Sequence, residues 1–168
     1  IARDWVAAYP SPKNWRDTIR IYQTTSGLAD ASLLDSMRLA RATGGLTGDN
    51  DYFRYSNTLV SQGLPGEAKA VLEQGFAANA ISRTNPSLAP LYSVATSRSQ
   101  GDRASLAGTA TAARAAADAR KAMVTGEAYY GYGDYTQAAE MFRVALTKTG
   151  ADKNLANLRL GMALAAAG

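Results

Sequence analysis

Apolar and small residues recur along this chain at steps of three and four, as in Ala68, Leu72 and Gly75 or Ala138, Phe142 and Ala145. Strict alternation is almost absent. The pattern therefore predicts helices throughout and no substantial sheet. Glycine, proline and helix-start residues divide it into ten segments, at residues 2–9, 14–26, 29–43, 49–62, 65–79, 87–100, 102–115, 117–132, 135–148 and 153–167. Gly27, Gly63, Gly101 and Gly133 each stand where a left-handed residue could end a helix. Asp134 and Gln137 have capping-box spacing, and Pro65 falls in a first turn, where its missing N–H costs little. Segments of this length joined by links of a few residues must pack antiparallel on their sequence neighbours.

The four stop glycines recur at intervals of 36, 38 and 32 residues, and Gly168 follows Gly133 by 35. A two-helix unit of about 35 residues cannot bury its own apolar faces and must stack on copies of itself. The stretch GEAYYGYGDYTQAAEMFRVAL, 126–146, shows the pattern most fully. Gly126 and Ala138 allow two helix backbones to approach, Tyr129, Tyr135 and Phe142 fill the space beside that contact, and Gly133-Asp134 makes the turn. Glycine inside a helix costs about 1 kcal/mol relative to alanine, so Gly126 needs a packing reason.

On these residues the chain resembles the tetratricopeptide repeat. A second unit carries Ser56, Leu59, Gly63, Ala68, Leu72 and Gly75 at the same places. The resemblance implies an all-α fold, a right-handed superhelical solenoid of antiparallel helix pairs, over a single helical-repeat domain spanning 1–168. Its units would be 13–45, 49–83, 87–118, 119–152 and an incomplete 154–168. The last has a first helix alone, which leads us to expect a longer natural chain. The stretches NWRDTIRIYQTT, LPGEAKAVLEQG and GYGDYTQAA are together similar to exported bacterial proteins of this repeat type, pointing to a periplasmic or exported setting.

The charge balance narrows the partners. Net charge is +4 with no basic run, which argues against a nucleic-acid binder. No apolar run reaches the roughly 18 residues of a membrane span. The chain has no cysteine and no histidine, so thiolate chemistry, disulfides and the commonest general base are absent. DNDYFRYSNTLV, 49–60, begins like a calcium loop but has Arg54 and Val60 where glycine and glutamate are needed. GYGDY lacks the lysine of a phosphate loop. Glu67, Glu73, Glu127 and Glu140 show no spacing that marks a catalytic pair. The expected function is accordingly non-catalytic, with no cofactor and no metal.

By the family's pattern, the first helices would present Arg54 and Asn57, then Arg98, then Arg120, Met123, Glu127 and Tyr130, then Arg159 and Met162 along a concave groove. Phe53 stands where carboxylate-holding members of the family have lysine. The resemblance implies a protein or peptide segment in that groove, and the arginines favour an acidic one. The alternative is a glycan, held by the solenoid part of a cell-wall or polysaccharide system. Solvated arginines and core tyrosines account for the same residues without any ligand.

Overall fold

The structure is a computed structural model and describes residues 2–168. Nine helices hold most of the described residues, and none of these residues lies in a strand. They are α1 (Ala2–Ala8), α2 (Pro12–Thr25), α3 (Asp30–Ala42), α4 (Gly48–Ser61), α5 (Pro65–Ala77), α6 (Leu88–Ala115), α7 (Arg120–Gly131), α8 (Tyr135–Leu146) and α9 (Lys153–Ala167). Their starts follow local chemistry. Ser11 accepts from the Asn14 N–H, Asp134 from that of Gln137, and Asp152 from those of Asn154 and Leu155. Pro65 opens α5. Three of the four expected stop glycines are left-handed, with φ of 53° at Gly27, 76° at Gly63 and 77° at Gly133.

Gly101 is not. It lies inside α6, which runs unbroken for 28 residues and replaces the helix pair expected over 87–118. At 1.5 Å per residue α6 is about 42 Å long, enough to support two shorter helices end to end. Its N-terminal half packs on α5, where the Tyr92 hydroxyl donates to Glu73 at 2.9 Å and the Phe76 and Tyr92 rings meet edge to face at 5.4 Å. Its C-terminal half shares a core with α7 and α8, formed by Ala110, Ala113, Ala119, Ala122, Met141 and Ala145. Lys148 donates to the carbonyls of Arg114 and Ala116, which satisfies orphan acceptors at the end of α6. Gly101 costs α6 about 1 kcal/mol, which the alanine-rich second half offsets through propensity and close packing.

The two halves of α6 belong to different cores. Larger side chains fill the first, including Leu34, Tyr52, Tyr55, Leu59, Leu72 and Leu88. The second is built on alanine, so its helices approach more closely. Gly126 of α7 faces Phe142 of α8, whose Cε1 lies 2.5 Å from where a Cβ on Gly126 would sit. This is the close approach the sequence requires.

The continuity of α6 changes the direction of everything after it. Gly75 faces Tyr52 while Glu67 meets Tyr55, so α4 and α5 are antiparallel. α6 then runs against α5, and α7 against α6. With one helix fewer than expected between them, α4 and α7 point in opposite directions, although the repeat alignment makes them equivalent first helices.

Candidate functional site

The last turn of α7 meets the first turn of α5 over the middle of α6, and glycine at two positions makes this possible. A Cβ on Gly66 would enter the Tyr132 ring, and one on Gly131 would lie 2.9 Å from Glu67 Cβ and 3.1 Å from its backbone nitrogen. The Tyr132 hydroxyl crosses to α6, where its one proton faces two acceptors, Asp102 Oδ2 at 2.6 Å and the Ser99 carbonyl at 3.1 Å. The carbonyl end of one helix dipole thus abuts the amide end of another, a favourable arrangement.

Glu67 sits at this seam and is 1% exposed. A carboxylate in a first helical turn is favoured by the dipole, but burial of its charge needs direct compensation. Arg38 supplies it through a two-pronged contact, Nε to Oε1 at 2.9 Å and Nη2 to Oε2 at 2.6 Å, and the Tyr55 hydroxyl donates to Oε1 at 2.7 Å. Arg38 is 4% exposed, lies under the Tyr130 ring at 5.0 Å, and also contacts Glu127 at 2.8 Å. Glu127 pairs with Arg159, and Arg159 reaches Asp35 of α3 at 2.9 Å. Side chains of α3, α4, α5, α7 and α9 therefore join in one ionic cluster of three carboxylates and two guanidiniums.

Its electrostatics follow from geometry. Burial works against the Arg38 charge, but the bond to Glu67 outweighs it and holds the guanidinium above its usual range. Burial, and next the charge of Glu67, push the Tyr55 phenol well above its ordinary value. Burial and the neighbouring Arg38 bring Arg159 down to about 10, so it remains charged at neutral pH beside Asp35 and Glu127. Arg38 Nη1 and Arg159 Nε are buried without a hydrogen-bond partner.

In front of this cluster lies a cavity of about 790 Å³ between α3, α5, α6 and the α7–α8 turn. Tyr130, Tyr132 and Tyr135 contribute rings, with Tyr130 and Tyr135 edge to face at 5.2 Å. Arg41 and Arg103 contribute cations that form no salt bridge with any described residue. Arg41 donates from Nε to Gln74 at 2.7 Å, and Arg103 lies 5.1 Å above the centre of the Tyr132 ring. Lys69 is matched by Glu73 at 3.5 Å, one helical turn on.

The residues expected along a groove are distributed differently. Tyr130 lines the cavity. Glu127 and Arg159 belong to the cluster behind it, and Arg159, at 3% exposure, is committed to carboxylates rather than presented to a ligand. Met123 packs against the alanine core, and Met162 is half-buried. Arg98 and Arg120 are exposed outside the cavity. Arg54 borders a separate cavity of about 30 Å³ next to the Arg20–Asp51 pair, and Asn57 is exposed on α4. The reason is the unbroken α6, which reverses α4 relative to α7 and separates residues that a uniform repeat would align.

The sequence reading did not single out Arg38, Arg41, Gly66, Arg103 or Gly131, and took Glu67 only as one helical acid among several. The available signal was the proline, glycine and glutamate opening α5, since an acid two residues inside a proline-started helix is well placed for burial against a cation. Among the described residues no group of three or more Asp, Glu, His or Cys side chains is placed so that it could hold a metal ion, and no helix is long and apolar enough to cross a membrane. Comparison with family models, curated proteins and solved structures finds no match to this chain.

Proposed function

We propose that this protein is a non-catalytic binding module that holds a short segment of another protein in the tyrosine-lined cavity. The observation carrying this reading is the division of labour among charges. The buried Glu67 and the half-buried Glu127 are committed to arginines, whereas Arg41 and Arg103 line the cavity without a carboxylate partner among the described residues. Glu67 cannot serve as a base without stranding Arg38, which supports binding over catalysis. A volume near 790 Å³ falls within the usual range of ligand pockets, about 300–1,000 Å³, and suits a few residues rather than a long helix.

The fold relationship belongs to the same proposal. The α7–α8 pair, with Gly126 against Phe142, and the α4–α5 pair support a tetratricopeptide-like array of right-handed sense. In it α6 replaces one pair and creates a compact pocket at the seam.

The test is a random peptide display selection against the protein and against Ala42→Trp. Ala42 is exposed at the edge of the cavity, so a tryptophan there obstructs it with little effect on the core. Peptides that bind the parent and lose binding to Ala42→Trp support the reading. Failure to enrich any peptide, or equal binding to the variant, refutes it. Retention of oligosaccharides in place of peptides gives the function to a glycan.

A further inference from the structure

The cavity also indicates what kind of segment it takes, an inference that rests on the binding role proposed above. Four cations and two carboxylates line it: Arg38, Arg41, Lys69 and Arg103 against Glu67 and Glu73. Glu67 is neutralised by Arg38, and Glu73 is matched by Lys69. The remaining positive charge therefore sits on Arg41 and Arg103, which come from different walls, α3 and α6.

Both guanidiniums are held in place without being neutralised. Arg41 uses only Nε on the uncharged Gln74 side chain, leaving both terminal nitrogens as donors. Arg103 rests on the Tyr132 ring, whose hydroxyl is tied to Asp102 and the Ser99 carbonyl. Such anchoring reduces the entropy lost when an anion is bound, and the planar fork suits a carboxylate.

Arg38 borders the cavity but is not a third anion site. Its Nη1 is fully buried and lies 3.8 Å from Asp35 Oδ1, out of a ligand's reach. The surrounding cluster already holds three carboxylates against two guanidiniums. A further anion beside Arg38 would be repelled, so the acidic groups of a ligand belong at Arg41 and Arg103. We infer that the cavity receives a short peptide segment with two acidic side chains, one at Arg41 and one at Arg103.

The experiment uses calorimetric titration with capped alanine hexapeptides bearing two glutamates one to four residues apart, and with the same peptides bearing glutamine. At least one glutamate spacing should bind about tenfold or more tightly than its glutamine counterpart, as expected from charge-assisted hydrogen bonds. The advantage should shrink with added salt. Arg41→Gln and Arg103→Gln should each lower that affinity about tenfold while melting like the parent, and Arg98→Gln, outside the cavity on α6, should leave it unchanged. Equal binding of glutamate and glutamine peptides overturns the inference, as does a loss in Arg98→Gln equal to that in Arg103→Gln. If display selection yields cavity-dependent peptides that are not acidic, this inference fails while the binding role stands. If no peptide binds at all, both fail. Binding of oligogalacturonate but no peptide, lost in both cavity variants, would overturn the peptide assignment.

Discussion

Glu67→Ala tests the cluster at its most buried member. It removes both carboxylate oxygens facing Arg38 and the acceptor of the Tyr55 hydroxyl. Breaking a buried ion pair by removing one partner costs about 3–5 kcal/mol, because the other charge stays buried. Arg38 keeps Glu127 at 2.8 Å, which places this part near the lower bound, about 3 kcal/mol. Loss of the Tyr55 bond adds about 1 kcal/mol. A total of about 4 kcal/mol corresponds to a fall of about 8–16 °C in melting temperature for a chain of this size. Thermal and urea unfolding followed by helical circular dichroism would measure it. The double variant Arg38→Met, Glu67→Leu should recover most of the loss, since an apolar pair leaves no stranded charge. A fall of less than about 2 °C for Glu67→Ala, or a double variant as unstable as the two single losses combined, would refute the reasoning.

Three further outcomes follow from particular residues. Gly101→Ala should raise stability by about 0.5–1 kcal/mol, because the site is helical with open space around a Cβ, whereas Gly133→Ala, at φ 77°, should lower it by about 1 kcal/mol. Equal losses in urea midpoint at the two sites would mean that a helix ends at Gly101. Gly126→Leu should cost about 1–3 kcal/mol or more by displacing the Phe142 ring, and an unchanged melting temperature would contradict the α7–α8 contact. The Tyr55 phenol, raised in the folded state mainly by burial, keeps its proton while the unfolded chain releases it near pH 10. Its contribution is complete below about pH 10 and is lost as pH rises further, so urea midpoints taken from pH 9 upward should fall less steeply for Tyr55→Phe than for the parent.

Helices were legible because their signals are local. Ser11, Asp134, Pro65, Gly63 and Gly133 act within a few residues of themselves, and boundaries read from them fall close to those observed. Gly101-Asp102 carries the same local signature as Gly133-Asp134, yet one is helix interior and the other a turn. A penalty of about 1 kcal/mol cannot stop a helix whose two flanks are both held by tertiary packing. That single difference also dispersed the expected groove. The ionic cluster was illegible for another reason, since Asp35, Arg38, Glu67, Glu127 and Arg159 come from four helices far apart in sequence. Apart from the proline start beside Glu67, nothing local distinguishes them from solvated charges. The cavity combines both effects, being formed by a helix junction that exists only because α6 is continuous.

The bond between Arg159 and Asp35 bears on how the molecule comes apart. An array in which each element touches only its neighbours behaves as a one-dimensional chain, and its ends can fray independently. Here α9 cannot detach without leaving Asp35 of α3 and Glu127 of α7 short of a cation. Opening at one end is thereby charged against the other, and α3 and α9 become parts of one cooperative unit. In native-state hydrogen exchange the protected amides of these two helices should open with a common free energy, and Arg159→Met should separate them into two.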